Sequence, residues 1–287
     1  METGRPSRTA LRVAMRRAAH QMVDNPRVLQ DPVAVPLLGA RFALDAEKER
    51  EPIARAFRAF LAARSRYAED RLREAVARGV QQYVVLGAGL DTFAYRNPFA
   101  GLRVFEVDHP ATQAWKRELL AEARVTPPEE LRFAPVDFEE KALGEGLAEA
   151  GFDAGEPAFF GWLGVVPYLT REAFRATVAY IAGLPEGSGV SFDYAVDPAT
   201  LSLSRRIALK MLAARVAKAG EPFRLYFRPE DLNEELRKAG FRRVEQWGRE
   251  ELNAAYFRGR ADGLKLPEGG PGRLATAWVC GAGVRRD

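Results

Sequence analysis

One segment constrains the fold of this chain more than any other. Gln82-Tyr83-Val84-Val85-Leu86 is a nearly continuous apolar run that ends in Gly87-Ala88-Gly89. A strand buried on both faces reads as such a run. Glycines at its end let the backbone take positive φ and come close to a ligand. Similar runs follow at 103–108, 131–137, 158–166 and 188–194, and the second and third of the five close on acids, Asp108 and Asp137. Residues 111–123 and 171–183 carry helical spacing between them. Strands alternating with helices predict a parallel sheet covered on both faces.

The flanks differ from this centre. Leu11, Met15 and Ala18 share one face of an arginine-rich N-terminal stretch, which predicts an amphipathic helix within 1–30. Residues 52–78 carry Ile53, Phe57, Phe60, Leu61, Tyr67, Leu72 and Val76 at helical spacing and stop at Gly79. After 194 the alternation breaks. Residues 199–219 and 229–239 read as helices, the second ended by Gly240-Phe241, and 244–247 with 274–279 as a final strand pair. No linker is visible. The expected layout is one domain over 1–287: a helical cap (1–80), a ligand-binding core (81–195), a lid insertion with a helix (196–240) and a C-terminal strand pair (241–287). The expected fold class is α/β and Rossmann-like, with a mostly parallel seven-stranded sheet.

Composition narrows the function classes. With 47% hydrophobic and 29% charged residues, the 287-residue chain reads as globular and soluble, with no membrane-spanning run and no secretory signal. The net charge of +4 is spread along the chain, and no nucleic-acid motif stands out. The single cysteine, Cys280, cannot form an internal disulfide, which fits a reducing cytoplasm. No zinc-ligand spacing is present, so no metal is expected. From 199 to 220 the chain has no acid but five basic residues: Arg205, Arg206, Lys210, Arg215 and Lys218.

Ligands of open α/β sheets bind outside the carboxyl ends of the strands. Gly87 and Gly89 follow the first strand. Asp108 ends the second, where a carboxylate can accept from both ribose hydroxyls. Asp137 ends the third, where it can accept from an adenine amino group while the Phe138 backbone pairs with the ring. In that order, with strand context, these residues point to an adenosine-type cofactor. A dinucleotide fingerprint needs a third glycine where Thr92 stands, and Asp91 puts negative charge where pyrophosphate would lie. S-adenosylmethionine has no phosphate and carries a sulfonium cation.

Three blocks extend the pattern: Val85-Leu86-Gly87-Ala88-Gly89-Leu90-Asp91-Thr92, Phe105-Glu106-Val107-Asp108-His109-Pro110, and Trp162-Leu163-Gly164-Val165-Val166-Pro167-Tyr168-Leu169. Together they resemble the leucine carboxyl methyltransferase superfamily, most closely its bacterial branch of polyketide-type O-methyltransferases. Ala63-Arg64-Ser65-Arg66-Tyr67 resembles that family's Arg-Thr-Arg element, and Gly220-Glu221-Pro222-Phe223 and Ala239-Gly240-Phe241 fit its C-terminal half. The resemblance covers roughly residues 25–280. It implies a class I methyltransferase fold and S-adenosyl-L-methionine as cofactor. It also implies Arg64 on the methionyl carboxylate, Gly87 along the cofactor, Asp108 on the ribose, and Asp137 with Phe138 on adenine. One position departs: the protein carboxyl methyltransferases carry glutamate where Leu163 stands, which puts a protein C-terminal leucine in doubt as acceptor.

The expected reaction is methyl transfer to an acceptor oxygen, carboxylate or hydroxyl, on a small or carrier-bound molecule. A carboxylate needs no base, whereas a hydroxyl usually does. His20 and His109 are the only histidines, which favours an acceptor that is already anionic, although Asp, Glu or Tyr can also serve as base. No catalytic residue is assigned. Glu106 is expected either at the ribose or capping its strand, and Tyr168 and Tyr194 near strand ends, where they can meet substrate, with core packing the alternative for Tyr168. Two other readings stay open: a dinucleotide-dependent oxidoreductase and a non-catalytic S-adenosylmethionine-binding protein.

Overall fold

The computed structural model describes residues 8–39, 42–137, 141–203, 206–207, 209, 222–268, 270 and 272–280. Four helices precede the sheet: α1 (Arg8–Val23), α2 (Ala34–Leu38), α3 (Ala46–Arg50) and α4 (Pro52–Val76). Then follow β1 (Gln82–Leu86), β2 (Arg103–Asp108), α5 (Pro110–Glu122), β3 (Leu131–Pro135), α6 (Leu143–Glu149), β4 (Ala158–Trp162), α7 (Arg171–Ala182) and β5 (Gly189–Ala195). The chain closes with α8 (Pro229–Ala239), β6 (Arg243–Trp247), α9 (Arg249–Tyr256) and β7 (Gly272–Trp278).

The strands form one seven-stranded sheet in the order β3-β2-β1-β4-β5-β7-β6. The first five run parallel, and β7 is antiparallel to both β5 and β6. The order reverses at β1, so β1 and β4 flank the switch point, where ligands of this architecture bind. Every residue of β1, β4 and β5 is buried, which is why these strands read as continuous apolar runs.

Alternate side chains of β1 serve different layers. Val84 and Leu86 join Phe105, Phe160, Phe192 and the inner faces of α6, α7 and α8. Tyr83 and Val85 join Val104, Phe159, Trp278 and the end of α4. The apolar face of α1 packs as its spacing predicts, with Leu11, Ala14, Met15 and Ala18 against α2, Leu90 and the α5 residues Leu119 and Leu120. This seats the cap over the turn after β1: a Cβ on Gly89 would lie 3.2 Å from that of Ala10.

The helix expected at 199–219 lies mostly outside the described residues, as do Arg205, Lys210, Arg215, Lys218, Gly220 and Glu221. Arg206 is described and exposed. No described helix is long and apolar enough to cross a membrane.

Candidate active site

The turn after β1 has the backbone its glycines predict. Gly87 sits at φ +64° and Gly89 at +48°, values that side-chain-bearing residues rarely adopt. A Cβ on Gly87 would also fall on Val165 Cγ2. The two loops that leave β1 and β4 therefore meet at a point where only glycine fits.

Asp108 ends β2 beside this turn. Its Oδ2 accepts the Gly89 N–H at 2.6 Å and its Oδ1 accepts the His109 N–H at 2.7 Å. Burial nonetheless outweighs these amides and holds the carboxyl above its usual range. Each oxygen keeps acceptor capacity, and further donors would stabilise the charge.

Asp137 follows β3, with Oδ2 3.4 Å from His109 Nε2. His109 caps α5, and its Nδ1 accepts the Ala111 N–H at 3.2 Å. Phe138, expected beside adenine, lies outside the described residues.

Arg64 projects inward from the middle of α4 and is buried. Its Nη1 donates to Asp193 Oδ2 in β5 at 3.1 Å, and Asp193 Oδ1 accepts the Gly164 N–H at 2.5 Å. Gly164 is at φ +74°, and a Cβ there would sit 2.9 Å from Arg64 Nη2. Arg64 Nε is buried with no hydrogen-bond partner among the described residues. Arg66, two positions on, points elsewhere: its side chain is 41% exposed and pairs with Asp70. Residues two apart on a helix do not share a face.

The order along the carboxyl edge of the sheet is thus Asp137, Asp108, the Gly87–Gly89 turn, Gly164 and then Asp193, with Arg64 reaching the last two. Asp193 is the partner that sequence reasoning missed. It is a lone acid in a wholly buried strand, and its pairing partner lies 129 residues away. The only signal in the sequence was an acid inside an apolar run.

Two expectations need correction. Glu106 is neither at the cleft nor a strand cap. It is buried, with Oε2 accepting from Lys116 Nζ at 2.6 Å and Oε1 without a partner among the described residues. Burial pushes its carboxyl up to about 7 against the pull of Lys116. Tyr194 does not face a substrate: it is buried beside Phe192 and Phe227, and its hydroxyl donates to Gln246 Oε1 at 2.6 Å. Asp91 and Thr92 border the turn but are held by the cap. Arg17 donates to Asp91 Oδ2 at 3.0 Å, to Thr92 Oγ1 at 2.5 Å and to Asp31 Oδ2 at 2.5 Å. Tyr168 is half-buried against Phe223, which fits its packing alternative.

Comparison with known proteins shows the family. A family model described as "Leucine carboxyl methyltransferase" matches residues 10–182. A Bacillus subtilis (strain 168) protein named "Putative S-adenosyl-L-methionine-dependent methyltransferase YktD" is 31% identical over 295 residues, covering 93% of this chain and 97% of that one. A Mycobacterium avium (strain 104) protein of the same description is 32% identical over 219 residues, 71% of this chain and 69% of that one. Among solved structures, a "putative methyltransferase" from Thermobifida fusca YX superimposes with a TM-score of 0.60 at 18% identity, covering 98% and 97% of the two chains. At that identity it speaks to the fold alone. The dinucleotide-dependent oxidoreductase reading falls away. The chain belongs to the leucine carboxyl methyltransferase family and is an S-adenosyl-L-methionine-dependent methyltransferase of Rossmann-like α/β fold.

Proposed function

We propose that the cofactor lies along the carboxyl edge of the sheet, with adenine toward β3 and the methionyl group toward β4 and β5. We further propose that the methyl passes to a carboxylate oxygen of a small or carrier-bound acceptor. In this reading Asp137 and Phe138 hold adenine, Asp108 holds the ribose, Gly87 and Gly89 form the floor, and Arg64 takes the methionyl carboxylate. The residues suit the group. At the Gly87 turn only glycine fits beside Val165, which keeps the backbone there bare of side chain. The buried Arg64 Nε is a donor in want of an anion. The whole chain is read as one methyltransferase domain.

When bound, S-adenosylmethionine supplies an electrophilic methyl on a cationic sulfur. The protein's contribution is then positioning and electrostatics. One observation carries the choice of a carboxylate: in each histidine the single lone pair of the neutral ring is already taken by backbone N–H. His20 Nε2 accepts from Val28 and Leu29, at 3.0 and 3.3 Å, while its Nδ1 faces Asp24 at 2.7 Å. His109 Nδ1 accepts from Ala111, which leaves the proton on the Nε2 that faces Asp137. Both rings are thus engaged within the protein rather than turned to an acceptor. An acceptor that is already anionic needs no base. The basic stretch after β5, including exposed Arg206, suits an acidic molecule.

The test is transfer of labelled methyl to a panel of carboxylic acids and phenols. The expected product is a methyl ester, which releases labelled methanol in mild base. A base-stable label, as in an aryl ether, would overturn the carboxylate assignment.

Two further outcomes follow for the cofactor. Asp108→Ala should weaken S-adenosylhomocysteine by about 1–3 kcal/mol in calorimetry, the range for losing a partner to a charged group. Arg64→Ala should weaken it more than Arg66→Ala, because Arg66 is turned toward Asp70. Equal losses would show that the inward register of α4 does not serve the cofactor.

A further inference from the structure

Arg64 and Asp193 form an unusual pair. Both are buried, at 8% and 6% exposure. Yet the contact is single-pronged, through Nη1 alone, rather than the two-pronged fork that arginine and carboxylate prefer. Arg64 keeps a buried Nε with no partner among the described residues. Asp193 is held from the other side by the Gly164 N–H, and a carboxylate with one donor on each oxygen still has acceptor capacity. The pair is pinned to the loop after β4, whose next residue, Val165, packs against the Gly87 turn. Leu163, just before Gly164, brings no charge of its own. A buried ion pair with spare donors on one member and spare acceptors on the other is incomplete by itself. It carries no net charge, and it offers a carboxylate a cation and an ammonium an anion within one contact distance.

We propose that Asp193 accepts the α-ammonium group of the cofactor, so that Arg64 and Asp193 together read the amino-acid zwitterion at its methionyl end. This rests on the cofactor orientation proposed above and extends it. The zwitterion is neutral overall, as the pair is, so binding buries opposite charges against opposite charges and leaves none uncompensated. Asp193 is then a specificity-determining residue: it separates the complete cofactor from adenosine thioethers that lack the amino group.

The test is calorimetric titration of the full chain with S-adenosylhomocysteine and with its analogue lacking the α-amino group. The wild type should prefer the complete ligand by about 10- to 100-fold, the range for a charged hydrogen bond. Asp193→Asn retains an acceptor for the Gly164 N–H. It should lose most of that preference, weakening S-adenosylhomocysteine while the analogue's affinity moves little. Asp193→Glu keeps the charge and should keep the preference. If Asp193→Asn weakens both ligands alike, Asp193 only positions Arg64 and the proposal is wrong. Equal affinity of the wild type for the two ligands overturns it without any variant, so a folding failure cannot hide the answer. A wild type that binds neither ligand would instead sink the cofactor site on which the proposal rests.

Discussion

Arg17→Met is expected to lower the stability of this protein by about 3–5 kcal/mol in urea unfolding at pH 7, the range for removing one member of a buried ion pair. Arg17 is 5% exposed, and its guanidinium bridges Asp31, Asp91 and Thr92. Arg96 stands beside Asp31 at 3.5 Å and also binds Glu69 of α4. The cluster thus ties the cap, the turn after β1 and α4 together. Burial pushes Asp31 and Asp91 up, but Arg17 and its neighbours more than offset that, so both carboxyls lie below their usual range. A carboxyl with a lowered folded pKa adds stability above its unfolded pKa and loses it as pH falls through the folded one. The cost of Arg17→Met should therefore be full at neutral pH and shrink in acid, once both aspartates are protonated. Because α1 rests on Gly89 through Ala10, the variant should also bind S-adenosylhomocysteine more weakly. A loss below about 1 kcal/mol would mean that Arg96 alone satisfies the two acids, against the buried-pair cost assumed here.

Lys116→Met should cost a similar amount, about 3–5 kcal/mol, by leaving Glu106 buried without its partner. Both side chains are 1% exposed. The double variant Glu106→Gln/Lys116→Met removes both charges and should recover most of the loss. Replacing a whole buried pair by neutral groups is often close to harmless, whereas halving it is not. The pH dependence has the opposite sign to that of the Arg17 cluster. Burial raises Glu106 from 4.5 to about 7. Its contribution is fully present below about 4.5 and fades as pH rises through 7. The stability gap between wild type and Glu106→Gln should therefore narrow from pH 5 to pH 8 in the same assay. A gap that stays constant would mean that Glu106 is ionised throughout and firmly paired.

Much of this was legible in the sequence, for physical reasons. Strands buried on both faces announce themselves as apolar runs, so β1, β2, β4 and β5 were found within a few residues of their observed ends. Gly87, Gly89 and Gly164 each occupy a backbone that favours glycine. The start of α4 was misread. Spacing put Ile53 and Phe57 inside, but they are 67% and 38% exposed. The buried face there carries Ala54, Arg58 and Leu61 instead. Arg58 is held by Asp24 and Glu49, and a buried arginine looks like surface to any hydrophobic pattern. The same blindness hid Asp193 and Arg17. Their burial depends on charges far away in the chain, which periodicity does not register. The helices α2, α3 and α6 run for only five to seven residues, too few turns to show a period.

The most direct test of the account is a crystal structure of this protein with S-adenosylhomocysteine. The account predicts adenine beside Asp137, the ribose hydroxyls on Asp108, and the methionyl carboxylate on Arg64, in that order from β3 to β5. A ligand lying in the reverse direction, or bound away from the Gly87–Gly89 turn, would contradict it.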